Sequence, residues 1–176
     1  MVMTLEEIAH VGEIIGGIGV LGSLIFVGLQ VRQNTQTVRA STLQQNTSYW
    51  TNFITTLAHP QFVTAYGKGM AGRDLDQIQF GQFFLLTRAY FLGLENQQYQ
   101  YRQGLLDPEA FRSYELAIRE QVFSFPGIRA MWHLTRHTYS RDFIAFVDRH
   151  IAATPVHEES IFRKWQTEVA AQRASI

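Results

Sequence analysis

The sequence predicts an all-α protein, and three observations predict it. Apolar residues recur at three- and four-residue spacings through most of the chain. Runs that alternate apolar and polar residues, as strands do, are essentially missing. Proline and glycine cluster at a few points and divide the chain into helix-sized pieces. The architecture expected is one N-terminal transmembrane helix, continuous with a long helix that leads into a small antiparallel helical bundle. The divisions expected are an anchor over 1–31, a helical stalk over 32–58 and a bundle over 59–176.

The anchor comes first. Residues 14–29 read IIGGIGVLGSLIFVGL and carry no charge. Extended to Val11 and Val31, the stretch holds the ~20 residues that cross a ~30 Å hydrocarbon core. Glycines recur from Gly12 to Gly28. Each costs about 1 kcal/mol in a soluble helix, whereas in lipid the unpaired backbone has no water to turn to. Thr4 and Glu7 match a capping box before the apolar run. A cleaved signal peptide fits poorly. Residues 1–10 hold no Lys or Arg, and the small-residue site Val38-Arg39-Ala40 lies too far downstream. Arg32 and Arg39 follow the apolar run, so the positive-inside rule directs the C-terminal part to the cytoplasm and the N-terminus outside.

Gly12, Gly16, Gly19 and Ser23 fall on one helical face, in two small-x-x-x-small pairs. Such faces let helix backbones approach closely in lipid. They are the candidate oligomerisation surface. Glu13 is the one ionisable residue inside the apolar stretch, and it is a candidate intramembrane polar site. The competing reading places it at the interface, reaching water beside His10.

The stalk, 32–48, is polar nearly all round and rich in Gln, Asn and Thr. From there Tyr49, Trp50, Phe53, Ile54 and Leu57 keep helical spacing up to His59-Pro60. A continuous helix over 5–58 follows. A short helix is expected from Pro60 to about Met70, and Gly67, Gly69 and Gly72 then predict a flexible loop. That G-x-G-x-x-G string lacks the preceding strand a nucleotide site needs. The next helix spans about Leu75 to Gln103, with Gly104 as its stop. Its stretch Phe80–Leu94 is apolar on almost every side apart from Arg88, which predicts a central, surrounded helix. Asp107-Pro108-Glu109 reads as cap, first position and acidic first turn of a helix to about Phe123. Pro126 opens another, to about His137. Ser140 is expected to cap the next, and a final amphipathic helix covers about 158–173. Trp50, Trp132 and Trp165 are expected to anchor the core.

Composition restricts the function. Among 176 residues, 46% are hydrophobic and 17% charged, against roughly 25% charged in soluble domains. Basic and acidic residues balance at 15 each, with no basic stripe of the kind nucleic-acid binders show. Cysteine is absent, which rules out disulfides and thiolate metal sites. His133 and His137 are four residues apart, a weak zinc pair whose further ligands would come from His150, His157, Glu158 or Glu159. Glu95, Tyr99 and Arg102 share a face at the polar end of the apolar helix and form a candidate polar cluster, either fixing helix docking or lining a small-molecule site. No Ser/His/Asp set, paired carboxylate or nucleophile elbow is visible, and no cofactor is expected.

Residues 27–35, VGLQVRQNT, together with 99–107, YQYRQGLLD, and the stretch Phe143–Asp148, resemble a widespread family of uncharacterised bacterial single-span membrane proteins. The likeness covers most of the chain. It implies a bacterial inner-membrane protein with a C-terminal helical domain, and it carries over no activity or site residue. The expected partners are the lipid bilayer and either further copies or another membrane protein. The leading expectation is a non-catalytic, self-associating scaffold or accessory subunit. The alternatives are an oligomeric pore ringed by Glu13, and a ligand sensor or enzyme using the Glu95–Tyr99–Arg102 cluster.

Overall fold

A computed structural model describes residues 5–156 and 161–174. The protein is all-α. Seven α-helices follow one another among the described residues: α1 (Leu5–Leu57), α2 (Pro60–Met70), α3 (Gln77–Arg102), α4 (Pro108–Gln121), α5 (Pro126–Thr135), α6 (Arg141–Ala152) and α7 (Ile161–Ala174), with a 3₁₀ turn over Arg136–Thr138 after α5. The chain divides into two compact units, Met1–Gln44 and Gln45–Ile176, and α1 contributes to both. Thr4 of the expected capping box lies outside the described residues.

Helix ends follow local chemistry. Asp76 caps α3 with a complete capping box: its carboxylate accepts from Gln79 N–H at 2.8 Å, and the Gln79 side chain accepts from Asp76 N–H at 3.3 Å. Asp107 caps α4 by accepting from the N–H groups of Glu109 and Ala110 at 2.9 and 3.2 Å, with Pro108 in the first turn. Gly104 ends α3 with φ +70°, and Leu105 N–H reaches back to Gln100 O. That backbone is left-handed, which glycine adopts freely. Ser140 stands at the α6 cap position but makes no side-chain capping bond, contrary to expectation.

In the second unit the end of α1 runs antiparallel to α3. Asn46 Nδ2 donates to Gln100 Oε1 at 2.6 Å, the Tyr49 hydroxyl donates to Ala89 O at 2.6 Å, and the Trp50 and Phe53 rings meet Tyr90. Gly93 admits this contact. A Cβ there would lie 2.8 Å from Tyr49 Cζ. Phe91, Phe123, Trp132, Phe143 and Leu94 are fully buried at the centre. Trp132 donates to Asp148 Oδ1 at 2.8 Å, and Asp148 also pairs with Arg136 at 2.7 Å, which ties α5 to α6.

Three expectations are corrected here. Gly67 and Gly69 do not form a loop but belong to the last turn of α2, which stops at Gly72 (φ +67°). Gly69 is buried because the Phe83 ring lies on it and the backbone of Gly127 approaches it. Close packing there outweighs the ~1 kcal/mol that each helical glycine costs. The second correction concerns α3, which is not surrounded. Phe83, Thr87, Tyr90, Phe91 and Leu94 face the core, while Ile78, Leu85 and Leu92 are exposed. Third, Trp132 is in the core and Trp50 packs against it, but Trp165 is exposed on α7, stacked on Phe162.

Candidate functional site

The expected polar cluster lies at the C-terminal half of α3. Glu95, Tyr99 and Arg102 line one groove of ≈ 470 Å³, joined by Leu92, Asn96, Gln98, Gln103 and, from the start of α6, Ser140 and Asp142. Glu95 and Arg102 reach across to α6. Glu95 Oε1 accepts from the backbone N–H of Ser140 at 2.8 Å, and Arg102 Nη1 pairs with Asp142 Oδ2. Glu95 thereby satisfies the backbone N–H of the cap residue itself, the role a Glu or Gln at the third helical position plays in a capping box and Phe143 cannot. Farther up α3, Arg88 Nη1 donates to Thr138 Oγ1 at 3.3 Å. The Arg88, Glu95 and Arg102 side chains, each one heptad apart, therefore fasten α3 to the segment 138–142.

These bonds decide what the groove can do. Its acid and its base already have partners, and the Arg102–Asp142 pair is half exposed. Exposed ion pairs of this kind contribute about 0–1 kcal/mol, so the cluster orients helices more than it stores energy. Tyr99 takes no part in the docking and stands exposed. What the groove offers is an apolar floor of Leu92 and Tyr99 with amides at Asn96 and Gln103.

The other candidates are placed as follows. Glu13 and His10 are both exposed, 3.9 Å apart, at the start of α1. Gly16 and Gly19 are open: a Cβ on either meets nothing within 4 Å. The Ser23 hydroxyl donates to Gly19 O at 2.8 Å, within its own helix. The surroundings of Gly12 lie outside the described residues. His133 and His137 are exposed, and they do not share one α-helical face, because α5 ends at Thr135 and His137 sits in the 3₁₀ turn. No group of three His, Asp or Glu residues is arranged for a metal among the described residues, and His157, Glu158 and Glu159 lie outside them.

Two polar arrangements were not legible in sequence. Arg129 on α5 donates from Nε to Phe123 O at 2.7 Å and from Nη2 to Thr154 O, joining the chain just after α4 and just after α6. Burial lowers its pKa from the usual arginine value. His150 on α6 lies 3.3 Å from Glu115 on α4, with Phe146 against its ring. Burial lowers its pKa from 6.5, and the neighbouring Glu115 carboxylate opposes that. Only the pairing of positions distant in sequence creates these sites, and Arg129 uses backbone acceptors that any residue could supply.

No protein family, curated protein or solved structure matches the chain.

Proposed function

We propose that this protein is a membrane-anchored helical module of a bacterial inner membrane, a scaffold or accessory subunit rather than an enzyme, which associates with further copies or a partner helix through its span. One observation carries the reading. The N-terminal part of α1 contains an 18-residue window of mean hydropathy 1.6, none of it buried by the rest of the chain. Nine large apolar side chains between Ile15 and Leu29 are exposed there. Fully burying a Val, Leu, Ile or Phe side chain yields about 1.5–3 kcal/mol. The nine together leave on the order of 15–25 kcal/mol unclaimed in water, and a hydrocarbon layer supplies that environment.

The remaining details have separate support. Arg32 and Arg39 flank the apolar run on its C-terminal side only, which favours an external N-terminus and a cytoplasmic bundle. Gly16 and Gly19 leave open backbone on one face, which favours close helix pairing in lipid. Ser23 already satisfies its hydroxyl proton within its own helix, so it adds a small polar surface without an unpaired donor. The bacterial setting rests on the resemblance of residues 27–35 and 99–107.

Carbonate washing of membranes from expressing cells tests the anchor, and the chain should stay in the pellet. Release into the wash would end the reading. Gly16→Leu with Gly19→Leu should lower the assembled fraction in mild detergent, read by light scattering. An unchanged mass would remove self-association through the span.

A further inference from the structure

Gln98 is a buried polar side chain that the docking of α3 on α6 does not use. It is 9% exposed and lines the ≈ 470 Å³ groove, yet it makes no hydrogen bond among the described residues. Glu95 stands one turn before it and Arg102 one turn after, on the same face of α3. Its amide therefore opens into the groove between the two bonds to α6. A side chain buried this deeply normally has a partner, because an amide taken out of water without one is destabilising. The groove adds two more amides, Asn96 and Gln103, and its apolar part is Leu92 with the exposed ring of Tyr99. Its volume falls in the range of small-molecule sites, roughly 300–1,000 Å³.

We propose that this groove binds an uncharged, hydroxyl-rich ring with the chemistry of a sugar, one face laid on Tyr99 and a hydroxyl held by the Gln98 amide. The matched charges select an uncharged ligand. Glu95 is committed to the Ser140 N–H, and Arg102 to Asp142. An ammonium or carboxylate on the ligand would have to break one of these bonds to reach its counter-charge, leaving the displaced group unpaired. A hydroxyl donates one bond and accepts others, so it joins a bonded carboxylate or guanidinium without displacing its partner. The Gln98 amide offers a donor and an acceptor side by side, which suits hydroxyls on adjacent ring carbons. A single aromatic ring, open on one side, suits a ligand with one apolar C–H face. The groove lies wholly within the second unit and does not depend on the anchor.

Saturation-transfer NMR tests the site on the full chain, in a detergent without a sugar headgroup. The probes are glucose, galactose and mannose, with glucuronate and protonated glucosamine as charged counterparts. At least one neutral sugar is expected to bind with a Kd of about 1 mM, and both charged sugars roughly tenfold more weakly. Gln98→Met should lose the signal while melting at or above the parent, because the amide has no partner in the protein to lose. Tyr99→Ala, at an exposed position, should weaken binding roughly tenfold, and Tyr99→Phe should keep it. No signal from any neutral sugar would overturn the proposal, and so would charged sugars that bind as tightly. Unchanged binding in Gln98→Met or in Tyr99→Ala would also overturn it. A Gln98→Met protein melting clearly below the parent would do the same, since the amide would then serve the fold. None of these outcomes alters the carbonate test of the anchor, so the two readings fail separately.

Discussion

Gly127→Ala tests the point where α2, α3 and α5 meet. Gly127 sits in the first turn of α5, buried against the last turn of α2. A Cβ there would lie 2.8 Å from the carbonyl carbon of Gly69 and 2.9 Å from Met70 O, and closer still to Gly69 O. Carbon–oxygen contacts settle near 3.3–3.6 Å, so even the Met70 approach is short by about 0.4 Å. The obstruction is backbone inside a helix, with the Phe83 ring packed behind Gly69, and cannot turn aside like a side chain. Overpacking costs about 1–3 kcal/mol, and a backbone obstruction belongs at the upper end. The entropy gain of replacing glycine returns about 0.4–1 kcal/mol. A net loss of about 2 kcal/mol should lower the melting temperature by roughly 4–8 °C for a chain of this length. Gly67→Ala is the matched control, an exposed helical glycine whose Cβ meets nothing within 4 Å, and it should melt slightly above the parent. Far-UV circular dichroism melts of the three proteins in one detergent decide the matter. If Gly127→Ala melted with or above Gly67→Ala, the crossing geometry would be refuted.

Three further outcomes follow from the packing. Arg129→Met leaves Phe123 O and Thr154 O without their donor, and should cost about 2–3 kcal/mol by denaturant titration; Arg129→Lys should recover little, because one ammonium cannot reproduce the planar fork. His150 has a folded pKa below its unfolded 6.5 because it is buried. The unfolded chain therefore takes up the proton first, and this group's contribution to stability is lost as pH falls through 6.5, levelling off below the folded pKa. The drop in melting temperature between pH 7.5 and 5.5 should be smaller in His150→Gln, and an identical drop would contradict the assignment. Trp132→Ala should cost about 3–5 kcal/mol and Trp165→Ala no more than about 0.5 kcal/mol, since the first is fully buried and the second exposed; equal losses would place Trp165 in the core after all.

Helix positions were legible in the sequence because punctuation and periodicity agreed. His59-Pro60, Asp107-Pro108 and Pro126 open helices within a residue or two of where they were read. Orientation was less legible. In α3 the core-facing residues and the exposed Ile78, Leu85 and Leu92 interleave, and together they make the helix look apolar all round. One-dimensional periodicity sums the two faces and cannot say which one the rest of the chain covers. The G-K-G-M-A-G string misled for a related reason. Glycine signals either a turn or a close approach, and only the arrival of Phe83 and Gly127 from elsewhere decides for the second. The Glu95–Tyr99–Arg102 grouping was found by spacing, whereas its α6 partners, Ser140 and Asp142, lie about 40 positions away and carry no signal of the pairing.

The central claim, that the exposed apolar part of α1 lies in a bilayer, is tested most directly by cysteine accessibility along that helix. Ile18→Cys, Leu21→Cys, Leu24→Cys and Gln44→Cys, each the only thiol in its chain, are expressed in membranes and exposed to a water-soluble maleimide. Gln44→Cys should label from the cytoplasmic side. The three apolar positions should stay unlabelled until detergent and denaturant are added. Labelling of all four at similar rates in intact membranes would contradict the account.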